Sequence, residues 1–434
     1  MNETYIAALE IGSSKITGAV GLYQPDHTLK VLAAEQEESR DSVRYGIIQN
    51  PEEVASRVMR IIDRLEDNPA VAPRKITGVF VGLSGRSMHS VFSDVKLIFP
   101  EDTEFTGEML KRLREDARAI SLESNQEILA TVARSYHIDG LETVSPKGAM
   151  GKSIDAVYDV IVGRSELKRN IHRALAERTD LKIKELVITH LAAADIVLSD
   201  EEKRLGCMFV DFGAETTSVS IYRKGALCYY ATLPLGGRNI TRDLTTLSIL
   251  EEKAEEIKCE SGRAIARENP STLNLNGIKL SDVSNLIVAR AEEIVANVVQ
   301  QISYAGLKEK DLPAGIVCIG AGAHLNGLLE LVENQSGLNA RYGHLPSYIQ
   351  ALDPRAKRHD TIQAAAILYA GAHTPGAECL EMPAVEEPET DDTPAPAAPQ
   401  PEPTEGKVGK FFRGISSKFS NFFASPTDDD SELE

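Results

Sequence analysis

The sequence predicts an α/β fold built from two similar halves, and three glycine-containing segments carry that prediction. Residues 5–20 have the pattern of an apolar strand, a turn at Gly12 and a second strand, and residues 206–222 repeat this pattern around Gly213. Residues 314–328 indicate a further strand that leads into a helix. A strand–turn–strand unit that recurs after about two hundred residues is typical of a duplicated fold.

The first turn has the composition of a phosphate cradle. Gly12 allows the backbone to turn sharply, Ser13 and Ser14 offer N–H groups and hydroxyls to an anion, and Lys15 supplies a countercharge. Taken alone, a Gly-Ser turn between two strands is more often a simple turn.

The second turn follows an acidic residue. Asp211 ends the apolar strand before Gly213, and Thr216 and Thr217 come next. Because Mg²⁺ prefers carboxylate oxygen, Asp211 and also Glu10, which ends the first strand, are candidates to hold this ion through waters. Two such turns predict phosphates held between the halves.

The third segment places Gly320, Ala321 and Gly322 between its strand and its helix. A backbone without bulky side chains can approach a flat purine, and a helix N-terminus favours phosphate. Elsewhere, Gly236 and Gly237 open a predicted helix, where phosphate contact and a plain helix start are equally good interpretations. The three glycine segments together predict a nucleotide site.

Composition narrows the class of protein. The chain has 434 residues, is 42% hydrophobic and carries a formal net charge of −18, which predicts a soluble body of two or three domains and disfavours nucleic acid as a partner. It has no apolar run long enough to span a membrane and no signal-peptide pattern, so we expect a cytosolic protein. The five cysteines never form Cys-x-x-Cys, which indicates reduced thiols and no zinc site.

The segment from Lys407 to Ala424 has the pattern of a basic amphipathic helix. Its apolar residues recur every three or four positions among the cations Lys407, Lys410, Arg413 and Lys418. Residues 374–405, which precede it, contain no Lys or Arg and are rich in acidic residues and Pro, as in a disordered linker. A helix so separated from the body is predicted to bind anionic lipid. Packing against the body and binding in a partner's groove are the alternatives. The predicted membrane-binding residues are Val408, Lys410, Phe411, Phe412, Arg413, Ile415, Lys418, Phe419, Phe422 and Phe423.

These segments resemble the phosphate, second phosphate and adenosine signatures of the actin, sugar-kinase and heat-shock-ATPase superfamily. Within it, the chain resembles the FtsA family of bacterial cell-division proteins. Four further segments support that branch, at residues 81–85, 146–153, 198–206 and 254–262. By this resemblance, Glu255 and Lys258 border the nucleoside.

The resemblance implies an actin-like (ribonuclease H-like) duplicated fold with nucleotide in the interdomain cleft. The first half would comprise residues 1–82 and 164–196, interrupted by an inserted α/β subdomain at 83–163. The second half would comprise residues 197–373, with an outer subdomain at about 238–313. The disordered acidic linker (374–405), the amphipathic membrane-targeting helix (406–425) and an acidic tail (426–434) would follow.

The resemblance also implies a function. The protein would bind ATP with Mg²⁺, assemble into a homopolymer and receive the C-terminal peptide of FtsZ on its outer subdomain. It would tether FtsZ filaments to anionic lipids at the cytoplasmic face of the bacterial inner membrane, at the division septum. Other division proteins would bind the inserted subdomain.

Three positions depart from the expected pattern. Glu10 stands where the superfamily usually has Asp, and Ala214-Glu215 replaces a Gly pair, which puts a carboxylate beside the presumed phosphates. Thr189 stands where relatives have a Glu that positions the attacking water. We therefore expect ATP binding with weak or no hydrolysis, and no catalytic residue is assigned.

Two alternative functions remain open at this point. A pilus-assembly adaptor of the PilM type shares the fold but would lack the amphipathic segment. A carbohydrate kinase would need a catalytic Asp in the cleft. Gly151-Lys152-Ser153 resembles the end of a P-loop, but no apolar strand precedes it, so we predict an ordinary loop there.

Overall fold

The structure is a computed structural model, and it describes residues 3–266, 274–275, 278–357 and 361–383.

Strands are numbered in chain order. They are β1 (Thr4–Ile11), β2 (Lys15–Tyr23), β3 (Leu29–Glu38), β4 (Val43–Arg44), β5 (Ile47–Ile48), β6 (Lys75–Ile76), β7 (Gly78–Leu83), β8 (His89–Glu104), β9 (Gln126–Ile138), β10 (Leu141–Thr143), β11 (Met150–Arg164), β12 (Lys182–Ile188), β13 (Cys207–Phe212), β14 (Thr217–Arg223), β15 (Ala226–Leu233), β16 (Asn274–Leu275), β17 (Ile278–Lys279), β18 (Ile316–Ile319), β19 (Ala340–Tyr342), β20 (Ile349–Ala351) and β21 (Leu380–Glu381).

Helices are numbered in the same way. They are α1 (Pro51–Glu66), α2 (Gly107–Asp116), α3 (Glu166–Ala174), α4 (Thr189–Val197), α5 (Asp200–Leu205), α6 (Gly237–Thr245), α7 (Glu251–Ser261), α8 (Leu280–Tyr304), α9 (Leu328–Ser336) and α10 (Ile362–Ala372). No helix in the described ranges combines the length and the apolarity needed to cross a bilayer.

The first half is built on a sheet of order β12-β7-β1-β2-β3-β20. Its central strands are apolar along most of their length because helices α1 and α10 pack against them and remove them from water. Helix α1 begins at Pro51, which fits a first helical turn, and the preceding Asn50 caps it because its side chain accepts a hydrogen bond from the Glu53 amide.

The second half repeats this core unit in the larger sheet, of order β10-β9-β11-β8-β15-β14-β13-β18-β19. Both glycine turns close with the same hydrogen bond: Gly12 N–H donates to the Lys15 carbonyl and Gly213 N–H donates to the Thr216 carbonyl, each at 2.9 Å. The predicted duplicated α/β fold is confirmed, and the shared bond identifies the repeated unit.

The inserted segment forms the other end of the larger sheet. Long antiparallel strands β8, β9 and β11 enclose a separate apolar core with helix α2. Strand β8 of the inserted segment pairs with strand β15 of the second half at one residue pair, His89 with Ala231. Arg134 reinforces the junction, because it binds Asp159 on β11 and the backbone carbonyl of Cys228 on β15. Gly151-Lys152-Ser153 lies in strand β11, so the loop predicted there is wrong.

The predicted C-terminal boundary of the second half, at residue 373, is wrong. Strand β20 pairs in parallel with β3, and helix α10 packs against β1 and β2, so this part of the chain completes the first half. The chain packs again with the first half through contacts between segments that are distant in sequence, and a local sequence pattern does not predict such contacts.

The predicted linker also begins too early. Strand β21 pairs with β6, the buried Cys379 donates its backbone N–H to the Tyr5 carbonyl, and the first compact unit extends to Pro383. Three adjacent or alternating apolar residues, Ala377, Cys379 and Leu380, are buried here within an acidic surrounding sequence. The rest of the predicted linker, the amphipathic helix (406–425) and the acidic tail (426–434) lie outside the described residues.

Candidate functional site

The two glycine turns line one cleft. Each turn connects two central strands of its half, so the duplicated fold itself brings the turns to opposite walls. The predicted residues in this cleft are Glu10, Gly12, Ser13, Ser14, Lys15, Asp211, Gly213, Thr216, Gly320 and Ala321.

A second cavity adjoins the first, since Gly213, Ala214 and Ala321 line both. The predicted residues Gly237, Glu255, Lys258 and Gly322 lie in this second cavity, as do Ile240, Cys259, His324 and Leu325, which the sequence analysis did not select. His324 stacks on Tyr342 with ring centroids 4.8 Å apart and planes at 11°. The second cavity thus offers a flat, partly apolar wall beside the glycine turns.

Two predicted site residues, Thr217 and Gly236, do not line either cavity. The Thr217 hydroxyl is buried and donates to the Leu235 carbonyl at 2.8 Å, so the structure does not place it in either cavity. Gly236 precedes helix α6, where a Cβ atom would lie 2.6 Å from the Ala214 carbonyl oxygen. The close approach lets the Gly237 and Arg238 amides bond the Gly213 and Ala214 carbonyls, at 3.0 and 2.7 Å.

Asp211 is the central acidic residue of the cleft. Burial raises the pKa of its carboxyl group to about 6, although a hydrogen bond from Gln363 acts in the opposite direction. The Gln363 amide nitrogen lies 3.2 Å from Oδ1 and 3.1 Å from Oδ2. Gly320 has a φ of 87°, and a Cβ atom there would lie 2.4 Å from Asp211 Oδ1. The missing side chain is therefore what leaves room for the carboxylate.

Buried polar atoms along the cleft fit a polar ligand. Within the described ranges, Thr189 Oγ1, His190 Nδ1 and Gln363 Oε1 are buried without a hydrogen-bond partner, and all three residues line the cleft. Burial lowers the pKa of His190 to about 3, so this ring is neutral near pH 7. A bound polar ligand with its waters would supply the missing partners.

The acidic residues fit a hydrated Mg²⁺ better than a directly ligated metal. Glu10 and Asp211 line the cleft, whereas no group of three His, Cys, Asp or Glu side chains in the described part of the chain could hold a metal ion. Mg²⁺ commonly keeps several waters and binds through one or two carboxylates together with substrate phosphates.

Lys258 organises the second cavity. Its ammonium group donates to Glu255 Oε2 at 2.7 Å, to the Thr241 hydroxyl at 3.1 Å and to the Gly237 carbonyl at 3.2 Å. Burial would raise the pKa of Glu255, but Lys258 and the hydrogen bond from Thr241 outweigh burial and lower this pKa. A charged carboxylate held in this way can accept hydrogen bonds from ribose hydroxyls.

Glu215 does not act on the cleft as its position in the sequence suggests. Its side chain is buried outside both cavities, and its carboxylate accepts the Tyr45 amide at 2.6 Å. It forms ion pairs with Arg44, Arg238 and Arg242 at 3.0, 3.4 and 2.7 Å. The expected repulsion of phosphates is therefore offset by guanidinium groups.

Residues missed by the sequence analysis come from segments without a local signal. Three such residues line the cleft: Gln363 on α10, Ser84 directly after β7, and Gly46 between β4 and β5. They come together because these segments pack against one another in the folded first half. His190, also missed, follows Thr189 at the start of helix α4, and Thr189 itself was noted only for the Glu that it replaces.

A duplicated α/β body with matched glycine turns on a shared cleft defines a protein of the actin-like class. Family comparison adds two matches: a model described as cell division protein FtsA covers residues 208–353, and a model of the SHS2 domain inserted in FtsA covers residues 85–162. The cell division protein FtsA of Porphyromonas gingivalis is 31% identical over 348 residues, which are 78% of this chain and 72% of that protein. That of Neisseria meningitidis is 30% identical over 388 residues, 86% of this chain and 92% of the relative. The chain belongs to the FtsA family of cell division proteins.

One solved structure illustrates the fold. A chain of the PilM-PilN type IV pilus biogenesis complex superposes with a TM-score of 0.61 and 17% sequence identity, over 85% of this chain and 99% of that one. Identity this low shows a shared fold and nothing about function.

Proposed function

We propose that this protein binds ATP with Mg²⁺ in the cleft, self-assembles and tethers FtsZ filaments to the cytoplasmic membrane at the division septum. The observation that carries the nucleotide part is the convergence of two identically closed glycine turns on one cleft that also contains Asp211. Membership of the FtsA family supports the division role.

Different residues of the two cavities would bind different parts of the nucleotide. Backbone and hydroxyl donors of the two turns, other than the Gly12 and Gly213 amides that close them, would hold the phosphates, while Asp211 and Glu10 would hold hydrated Mg²⁺. The Glu255–Lys258 pair and the His324 ring border the nucleoside in the second cavity. Bound Mg²⁺ neutralises phosphate charge.

Hydrolysis is weak or absent in this proposal. Thr189 occupies the first position of helix α4, and its hydroxyl is a far weaker proton acceptor than a carboxylate. The neutral His190 ring lies 2.9 Å from the Ser220 hydroxyl through Nε2. ATP would then act mainly as a ligand that favours the closed, assembly-competent body.

Membrane attachment rests on the sequence of residues 407–424, outside the described residues. Five Phe, two aliphatic residues and four cations could supply a gross gain of about 10 kcal/mol, from which the cost of ordering a helix must be subtracted. The remaining affinity would be reversible for one copy. Assembly makes each further attachment intramolecular, so linked copies would stay bound.

The outer subdomain and inserted subdomain supply the proposed protein contacts. Helices α6, α7 and α8 contribute to the apolar core of the second half, and the C-terminal peptide of FtsZ would bind the surface of this region. Other division proteins would bind the inserted β8–β11 segment. The pilus-adaptor alternative has support only from a shared fold.

Co-sedimentation with anionic phosphatidylglycerol vesicles tests the membrane part. The full chain and a double variant, Phe411→Ser with Phe412→Ser, are compared with and without Mg-ATP, and purified FtsZ is added in a second series. Phe92→Ser, which alters an exposed Phe of the inserted segment, is the matched control. We expect ATP-enhanced binding and recruitment of FtsZ that only the double variant loses. Equal binding by the double variant would exclude this segment as the anchor.

A further inference from the structure

The hairpin formed by β4 and β5 joins the two glycine turns through consecutive amides. Tyr45 N–H donates to Glu215 Oε2 at 2.6 Å, and Gly46 N–H donates to the Ser13 hydroxyl oxygen at 2.9 Å. Ser13 belongs to the turn of the first half and Glu215 to the turn of the second half. The hairpin tip thus contacts both walls of the cleft at once.

The backbone at the tip is shaped for this double contact. Tyr45 and Gly46 have φ values of 52° and 75°, the left-handed pair that a tight two-residue hairpin turn requires. A Cβ atom at Gly46 would lie 2.8 Å from Gly85 Cα, so only glycine allows the tip to sit this close to the first half. Arg86 also anchors it, because its amide donates to the Tyr45 carbonyl at 3.1 Å.

The charges around Glu215 belong to both halves. Arg238 and Arg242 extend from α6 in the same half as Glu215, whereas Arg44 comes from the hairpin of the other half. Arg242 also lies 3.3 Å from the Tyr45 hydroxyl. Within this cluster of described residues, the contacts of Glu215 with Arg44 and Tyr45, and of Arg242 with Tyr45, join one half to the other.

The Glu215 carboxylate stabilises this cluster, because it is the shared partner of three guanidinium groups. Glu215 is 1% exposed, and without it Arg44, Arg238 and Arg242 would face one another across the junction with no buried counterion. Hydrogen bonds to a buried charged group are among the stronger ones in proteins. Removing the carboxylate should therefore loosen the junction and not merely one turn.

We propose that Glu215 is a positioning residue that locks the Tyr45–Gly46 tip across the cleft and thereby sets how fast a nucleotide leaves. We name Glu215, Arg44 and Tyr45 the cleft latch. Separation of the halves would open the path by which a nucleotide held between the two turns leaves, and this separation breaks the latch together with the Gln363–Asp211 hydrogen bonds. The part concerning nucleotide release rests on the proposed function, whereas the locking of the halves does not.

Hydrogen exchange of the full-length, ligand-free chain tests the locking directly, because the Tyr45 amide is itself a donor to Glu215. In Glu215→Ala, we expect amides of residues 43–48 to exchange about tenfold faster, while amides of strand β1 keep their rates. Arg44→Gln should accelerate them about threefold, since it removes one cross-cleft ion pair, together with the exposed pair between Arg44 and Asp41, and leaves the Tyr45 bond.

Arg238→Gln is the matched control. This variant removes a guanidinium from the same carboxylate, but from within one half, so exchange at residues 43–48 should stay within about twofold of the unmodified chain. If Arg238→Gln accelerates exchange as much as Arg44→Gln, or if Glu215→Ala leaves exchange unchanged, the cleft latch is excluded. Should Glu215→Ala fail to fold, as judged by its thermal melt, the two arginine variants still decide.

Release of a fluorescent ATP analogue supplies the second readout. The dissociation rate should rise about tenfold in Glu215→Ala and about threefold in Arg44→Gln, and should stay unchanged in Arg238→Gln. Unchanged dissociation in all three variants would exclude control of release by the latch. If the unmodified chain binds no analogue at all, the proposed nucleotide function fails, while the exchange measurement on the ligand-free chain still decides the locking.

Discussion

The side-chain amide of Gln363 donates to both carboxylate oxygens of Asp211, at 3.2 and 3.1 Å, although the two residues are 152 positions apart. Gln363 lies on α10, which packs with the first half, and Asp211 lies on β13 of the second half. The pair therefore joins the halves within the cleft. An acidic residue held at this point is suited to a hydrated cation.

The first prediction concerns Mg²⁺ dependence and Asp211. In Asp211→Asn, we expect ATP-analogue affinity in Mg²⁺ to fall about tenfold and to become less sensitive to chelation, because one of the two carboxylates proposed to hold the hydrated ion is gone. Fluorescence titration with and without EDTA measures this. Asp195→Asn changes an exposed aspartate on α4 and should keep the Mg²⁺ dependence. Undiminished Mg²⁺ dependence in Asp211→Asn would assign the ion to other groups.

The sequence was informative where the chemistry is local. Gly12 and Gly213 could be predicted because a tight turn between strands needs glycine and is followed by hydroxyl residues, and Asp211 because it ends an apolar strand. Gln363 and Tyr45 could not, since they reach the cleft only through the packing of α10 and of the β4–β5 hairpin. The return of β20 to the first sheet is likewise a long-range pairing, with β3.

Glu215 shows a different limit of sequence reasoning. Its position beside Gly213 was visible, but the direction of its side chain depends on Arg44, Arg238 and Arg242, which surround it in the folded chain. A charge that looks unfavourable in the sequence is thus neutralised by residues from two halves. Buried charges are tolerated when they are paired and hydrogen-bonded, and the pairing is a tertiary property.

The second prediction uses Cys259 as a reporter of the second cavity. Cys259 is exposed and lines this cavity, whereas Cys207, Cys318 and Cys379 are buried. Burial and then the Glu255 carboxylate raise the pKa of the Cys259 thiol, so alkylation should be slow near neutral pH and accelerate as pH rises. ATP should slow alkylation about tenfold by occupying the cavity.

Mass spectrometry of the labelled chain, with Cys259→Ser as the control for other thiols, measures this protection. Tripolyphosphate fills only the phosphate part of the cleft and should leave the alkylation rate of Cys259 unchanged. Equal protection by tripolyphosphate and ATP would mean that closure of the cleft, and not the nucleoside, shields the thiol.

The third prediction separates backbone strain from crowding at Gly320. Gly320→Ala should destabilise the fold by about 1 kcal/mol from its positive φ and by a further ~1–3 kcal/mol from collision with Asp211 and the Phe212 carbonyl. Gly148→Ala is the matched control, because Gly148 has a φ of 82° and its added Cβ would meet nothing within 4 Å. Thermal melts of both variants should therefore show the larger loss at Gly320. Equal losses would mean that the collision is relieved without cost.

The fourth prediction concerns the five acidic residues between Asp428 and Glu434, which follow the cationic segment and lie outside the described residues. A negative charge next to a cationic lipid-binding segment is repelled by anionic lipid, at roughly 1 kcal/mol for each charge close to the surface. Replacing all five with the corresponding amides should therefore tighten binding to phosphatidylglycerol vesicles several-fold at low salt. The gain should shrink as salt rises, because screening shortens the reach of the repulsion to about 10 Å at 0.1 M.

Vesicle titrations at several salt concentrations measure both effects, and vesicles of neutral phosphatidylcholine provide the control on which the replacement should have no effect. A gain that persists at high salt, or that also occurs on neutral vesicles, would show that the acidic residues act by contacting the protein and not by repelling the membrane.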